Sequence, residues 1–192
     1  MLSAQRATPQ NTRGEIIDSV SNIKPLDSLE QQHKDDVLSW LRSNQPIYRI
    51  SKPDNPKKHL VSYFVVFDKA NQKILLVDHK NAKLWLPSGG HVEIDEHPAE
   101  TVRRECKEEL NISASFLDES PMFLTQTKTV GLTAGHVDVS LWYVINGDSD
   151  ENYQFDTSEF ESVAWFTLDQ IPFERSDPHM QRFVRKLKAT YG

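Results

Sequence analysis

The order of patterned segments predicts an α+β fold, a mixed sheet held between helices. Three observations carry this. Residues 59–67 and 73–77 are rich in β-branched and aromatic residues and flank a polar turn, Asp68-Lys69-Ala70-Asn71, which reads as a hairpin. Residues 136–145 alternate with a period of two. Three segments carry apolar residues at helical spacing: 26–43, 98–110 and a last one after Asp177-Pro178.

Residues 1–25 are polar and weakly patterned, which predicts a loosely held tail with a helical turn around Ile16, Ile17 and Val20. Asp27 and Glu30 read as a capping box, with Leu29, His33, Val37, Trp40 and Leu41 as the apolar stripe of the helix that follows. Residues 26–58 form this helix and a proline-containing linker. The helix is expected to pack on the remainder, 59–192, and it is a candidate contact for a homodimer. Residues 115–128 contain strand-like material and 131–135 a glycine-bounded flexible loop. In the alternating segment Val137, Val139, Leu141 and Tyr143 fall on one face and His136, Asp138, Ser140 and Trp142 on the other. Residues 146–156 form an acidic loop, 161–167 a late strand, and Met180, Phe183, Val184 and Leu187 the stripe of the final helix.

The most informative stretch is Gly90 to Ile112. Pro98 suits the first position of a helix, where its missing N–H costs nothing. Ala99, Val102, Cys106 and Leu110 form the core-facing stripe. Glu105, Glu108 and Glu109 share another face, because residues three and four apart are neighbours on a helix. Three carboxylates so placed repel unless a cation lies between them, and hard divalent ions with oxygen ligands, Mg²⁺ or Mn²⁺, suit such a set. Solvated acidic helix faces are common and Arg104 can simply pair with Glu108, so the helix alone decides nothing.

The wider pattern does. Gly90, Glu96, Arg104, Glu105, Cys106, Glu108, Glu109 and Ile112 resemble the signature of the Nudix hydrolases, MutT-like enzymes. Coincidence of its six identities has a chance on the order of 10⁻⁷ per starting position. The preceding Leu84-Trp85-Leu86-Pro87-Ser88-Gly89-Gly90 resembles the family's Trp-x-Leu-Pro-Gly-Gly lead-in, with Ser88 inserted. Asn111 stands where the family usually has Gly, and it is the next best residue for a left-handed helix end.

The resemblance implies a Nudix α/β/α sandwich with an additional N-terminal helix. It implies a metal-dependent hydrolase that cleaves a diphosphate linkage in a nucleoside di- or triphosphate or a related derivative. Glu105, Glu108 and Glu109 are then the ligands of Mg²⁺ or Mn²⁺, joined by the backbone of Gly90 or Gly89. Arg104 orients the acids, supported by Glu96. Glu108 is the first candidate for the base, with Asp138 and Glu151 as alternatives. Gly89, Trp85 and Asp138 are expected to contact substrate. Two rival classes share the fold. An isomerase of the family needs a catalytic Cys and Glu pair, whereas Cys106 occupies an apolar slot. A nucleotide-reading module without catalysis commonly loses acids that this chain keeps. Gln126 to Val130 carries neither the Pro of ADP-ribose-type enzymes nor the Tyr of dinucleoside polyphosphate types, and Pro121 comes too early. The default substrate is a nucleoside triphosphate or modified nucleotide.

Composition limits the alternatives. The 192 residues suffice for one domain of ordinary size. A net charge of −6 argues against a stable nucleic-acid partner, which needs a basic face. No apolar run is long enough for a membrane span and no secretion signal is visible. One cysteine permits no internal disulfide, and a cytoplasmic setting fits.

Overall fold

The computed structural model describes residues 9–51, 55–129 and 135–192, with side chains from residue 12 onward. The first third of the predicted tail (residues 1–8), most of the predicted loop (131–134), residues 52–54 of the linker, and Val130 lie outside the described residues. The elements run α1 (Pro9–Asn22), α2 (Ser28–Arg42), β1 (Lys58–Asp68), β2 (Lys73–His79), β3 (Leu84–Leu86), β4 (Ser88–His91), α3 (Pro98–Leu110), β5 (Phe116–Lys128), β6 (Val137–Asn146), β7 (Phe160–Thr167) and α4 (Met180–Tyr191).

The seven strands form one mixed sheet in the order β3-β2-β1-β6-β5. β4 pairs with the first half of β1 and β7 with β2. β1 and β6 run parallel, with His59 opposite Asp138 and Phe67 opposite Asn146. Strand alternation sends side chains to two cores. Leu60, Phe64, Val139, Leu141 and Tyr143 pack under α1, α2 and α3. Val65, Phe67, Trp142 and Val144 pack against Phe183, Val184 and Leu187 of α4. Trp142 is fully buried, its indole N–H bonded to Thr125 Oγ1 at 3.0 Å, so it belongs to the core.

Residues 9–22 form a regular helix, not the loose tail that weak patterning suggests. Thr12, Ile16 and Val20 are buried on one side of it, and the Arg13 guanidinium bonds the carbonyls of Leu41, Ser43 and Gln45 at the end of α2. Tertiary packing makes this helix, since its own amphipathic signal is too weak to announce it. Leu29 also departs from expectation: it is exposed, and Glu30 takes its place in the buried stripe of α2.

Glu30 explains why. Asp27 caps α2 by accepting from the Glu30 N–H at 3.0 Å, while the Glu30 carboxylate reaches back to the Leu26 N–H at 2.6 Å. Its other oxygen meets Lys186 Nζ of α4 at 2.6 Å and accepts from the Leu124 N–H at 3.3 Å. His33 Nδ1 accepts from Gln126 N–H at 3.3 Å. α2 thus satisfies outward-facing donors of the edge strand β5, which would otherwise template pairing with another chain. Removing one partner of a buried ion pair strands the other charge. Glu30→Ala is expected to lower stability by roughly 3–5 kcal/mol in urea titrations. A loss below about 1 kcal/mol would show that the pair contributes little.

Candidate active site

α3 begins at Pro98 in the first helical position, capped by His97, whose Nδ1 accepts from the Ala99 N–H. It ends at Asn111, left-handed with φ 53° and ψ 32°, as the glycine-to-asparagine exchange predicts. Ala99, Val102, Cys106 and Leu110 are all buried beneath it. Burial pushes the Cys106 thiol pKa up, consistent with a packing role.

β4 delivers the glycines to this helix. Ser62 of β1, the register partner of Gly90, donates its hydroxyl to Pro98 O at 2.9 Å, so that face of the sheet looks at α3. The Gly89 N–H donates to Glu109 Oε2 at 2.9 Å. Gly89 has φ 148°, and a Cβ there would lie 2.1 Å from Ser62 O. A Cβ on Gly90 would lie 2.0 Å from Glu105 Oε1. Glycine at 90 leaves the space that the Glu105 carboxylate occupies, while glycine at 89 permits the positive φ and the close approach of β1.

Glu105 and Glu109 are buried, at 9% and 7% exposure, whereas the Glu108 side chain is 60% exposed. The three acids therefore do not form one equal set: two turn inward to the glycines and one faces solvent. Burial, then the Glu105 charge, pushes Glu109 up to about 9, against the Gly89 N–H that lowers it. Glu105 is raised as well, first by burial, with Arg104 opposing and Glu108 and Glu159 adding to it. Two buried carboxylates that hold their charge poorly in the protein alone, beside a backbone they touch, suit a hard divalent cation. The residues present fit the metal that the resemblance implies.

Arg104 ties the arrangement together. Its Nε and Nη2 grip Glu96 Oε1 and Oε2, each at 3.1 Å, a two-pronged pair. Its Nη1 donates to Glu105 Oε1 at 2.6 Å and to Glu108 Oε2 at 3.4 Å, and Nη2 also reaches His91 O at 3.2 Å. Burial opposes the Arg104 charge, but the carboxylates of Glu96 and Glu105 outweigh it and hold its pKa above the usual value. Thr101 Oγ1 and the Glu93 N–H also bond Glu96, whose pKa falls despite burial.

A pocket of about 280 Å³ lies beside the acids, lined by Glu108, Glu109, Asn111, Gln154, Phe155, Asp156 and Thr157. The Asp156 N–H bonds Glu109 O at 2.8 Å, fastening that loop to α3. Glu159, just beyond, raises both buried acids by its charge. Glu151 neighbours Tyr153, raising its phenol pKa by charge after burial and against the Asp148 N–H. Nothing local in the sequence separates Glu151 of the acidic loop from Glu159; the long-range pairing of β2 with β7, which ends beside Glu159, does.

Trp85 and Asp138 lie elsewhere. Trp85 packs edge-on to Phe166 at 5.1 Å, against the core under α4. Asp138 alternates with Val139, which is under α3, so it faces the α4 side. Its Oδ1 lies 3.2 Å from His59 Nε2 and 3.1 Å from His136 Nε2. His59 and His91 were not anticipated. Only strand register brings them to Asp138.

A metal-free protein carries a pH signature of Glu109. Its pKa in the folded state lies far above the usual 4.5, so it takes up a proton on folding. That favourable contribution is whole below about 4.5 and is lost as pH rises to about 9. Metal-free wild type should lose more thermal stability between pH 5 and 9 than Glu109→Gln does. Equal pH slopes in the two proteins would contradict the burial argument.

Known proteins resemble this chain in sequence and in fold. The NUDIX domain model matches residues 57–187. The m7GpppN-mRNA hydrolase NUDT17 of Danio rerio is 29% identical over 129 residues, covering 58% of this chain; the match spans 42% of that relative's length. A MutT NUDIX hydrolase from Burkholderia pseudomallei superposes with a TM-score of 0.52 at 22% identity, over 67% of this chain and 96% of that one. The dihydroneopterin triphosphate pyrophosphohydrolase of E. coli superposes with a TM-score of 0.52 at 13% identity, over 73% and 99%. At such identities the solved structures speak for the fold alone, and they agree with the mixed sheet between helices. Among the described residues no helix is long and apolar enough to cross a membrane. With the NUDIX model spanning more than half of its residues, this chain belongs to the Nudix family.

Proposed function

We propose that the chain is a divalent-metal-dependent pyrophosphohydrolase, cleaving a diphosphate linkage in a nucleotide derivative by attack of water on phosphorus. The observation that carries this is the pair of buried carboxylates, Glu105 and Glu109, set against the Gly89-Gly90 backbone, with Glu109 bordering an open pocket. The family match and the naming of one relative as an mRNA cap hydrolase point the same way.

Glu105 and Glu109, with Glu108 at the solvent side and the Gly90 backbone, would hold Mg²⁺ or Mn²⁺. When bound, the metal supplies charge neutralisation at the phosphates and a lowered pKa for water. The chain's own residues do the rest. Arg104 and Glu96 fix the Glu105 carboxylate on a stiff helix, so little rearrangement is needed when charge develops. Gly89 holds Glu109 through its N–H. Glu108 is exposed and only loosely held by Arg104, which leaves its carboxylate available to accept a proton from water. The pocket beside Asn111 and residues 154–157 offers room for the departing moiety. A nucleoside triphosphate or modified nucleotide is the substrate class we favour, Mg²⁺ or Mn²⁺ the cofactor.

Glu105→Gln and Glu109→Gln keep shape and remove one charge each. Loss of metal-borne stabilisation of several kcal/mol corresponds to a fall of at least ~100-fold in Mg²⁺-dependent turnover. The assay is release of phosphate or pyrophosphate from a nucleotide panel. Retained turnover in either variant, or binding of nucleotides by wild type without any turnover, overturns the proposal.

A further inference from the structure

On the other face of the sheet, three histidines and an aspartate converge. His59 on β1 and Asp138 on β6 are register partners in the parallel ladder, and His91 on β4 lies opposite Val61 of β1. Leu60 and Val139, the next residues after His59 and Asp138, pack beneath α3, so alternation turns the pair toward the α4 side. Gly90 faces Glu105 and its neighbour His91 therefore points the opposite way. His136 comes in from the start of β6. One ligand atom from each of the four residues falls within 4.8 Å of every other. The His59 ring centroid is 4.9 Å from that of His91 and 5.0 Å from that of His136.

We propose that His59, His91, His136 and Asp138 form a four-ligand zinc site, separate from the carboxylate site on α3. The donor set is what Zn²⁺ takes in closed sites, imidazole nitrogen and carboxylate oxygen in tetrahedral array. Zinc bonds of about 2.0–2.1 Å give tetrahedron edges of about 3.3–3.4 Å. The His59–Asp138 and His136–Asp138 separations, 3.2 and 3.1 Å, already match those edges.

The hydrogen bonds behind the rings fit as well. His59 Nδ1 lies 2.9 Å from Pro56 O. A carbonyl only accepts, so Nδ1 carries the proton, and in the neutral ring Nε2 presents a lone pair toward Asp138. His136 Nδ1 is likewise engaged by Thr129 Oγ1 at 3.0 Å. Metal-bound histidines are held by such outer contacts. His59 is fully buried, its Nε2 faces only Asp138 Oδ1, and among the described residues His91 Nε2 has no hydrogen-bond partner. Buried polar atoms are rarely left so. Lone pairs facing one another at 3.2 Å call for a cation between them: either a proton on His59 or a metal shared by all four. Only the metal also engages His91. The positive charge of Arg49, felt by both His59 and His91, is one the Asp138 carboxylate must offset. The site pins the starts of β1 and β6 to the end of β4, one residue from Gly90.

The test uses the full chain, stripped with a chelator and titrated with Zn²⁺ against a competing chelator, and with Co²⁺ as a visible probe. The expected result is one Zn²⁺ per chain, a four-coordinate Co²⁺ absorption spectrum, and movement of the three histidine Nε2 resonances. The Glu105→Gln/Glu109→Gln double variant should keep this zinc, which separates the inference from the proposed activity. Asp138→Asn and His59→Gln should weaken zinc binding roughly 100-fold or more. Wild type that takes up no zinc, with histidines that only titrate as an ion-paired network, overturns the proposal without reference to any variant. So does uptake that disappears in the double glutamate variant and persists in Asp138→Asn.

Discussion

The feature on which the rest depends is the burial of two carboxyl groups, those of Glu105 and Glu109, against a backbone stripped of side chains. Carboxylates resist leaving water, and two together resist it more. The protein places them there all the same, one bonded to the Gly89 N–H and the other in a space that any residue larger than glycine at position 90 would fill. The arrangement makes physical sense as half of a site, completed by a cation that brings its own charge. Free energy of metal binding would then offset the cost of burying the two carboxylates as charged groups.

Around that pair the fold is built for stiffness. Arg104 is the connecting part: its fork on Glu96 leaves one nitrogen for Glu105 and reaches the His91 carbonyl of β4. Helix, preceding loop and strand are thus joined through one guanidinium, a task that a lysine's single ammonium performs poorly. β4 is a short strand with two glycines, and its pairing with β1 places them at the required depth. On the reverse side of the same strands, polar residues cluster again at His59, His91 and Asp138. The sheet therefore carries concentrated polar chemistry on both faces at one end, while its middle is ordinary hydrophobic packing.

Much of this was legible in the sequence, and the parts that were not share a cause. Local signals gave the acid helix with Pro98 and Asn111 at its ends, the hairpin of β1 and β2, and the alternation of β6. The partnership of Arg104 with Glu96 follows a spacing of eight residues across a loop, and it too could be read. α1 was missed because its helix is made by contact with α2 and the sheet; Arg13 alone ties it to three carbonyls some thirty residues away. Glu30 was read as a cap and turned out to be buried as well, because its partner Lys186 stands at the far end of the chain. His136 and Asp138 were seen to share a strand face, yet His59 and His91 join them only through strand pairing. Inequality among the three acids of α3 also escaped the sequence: helical spacing puts them on one face, but depth is set by where β4 sits.

The most direct measurement is the location of a bound Mn²⁺ by anomalous diffraction from crystals of the full chain. The account predicts an ion within bonding distance of Glu105 and Glu109 carboxylate oxygens and of the β4 backbone, with Arg104 still on Glu96. An ion held elsewhere, or carboxylates of Glu105 and Glu109 turned away from each other with manganese in excess, would contradict it.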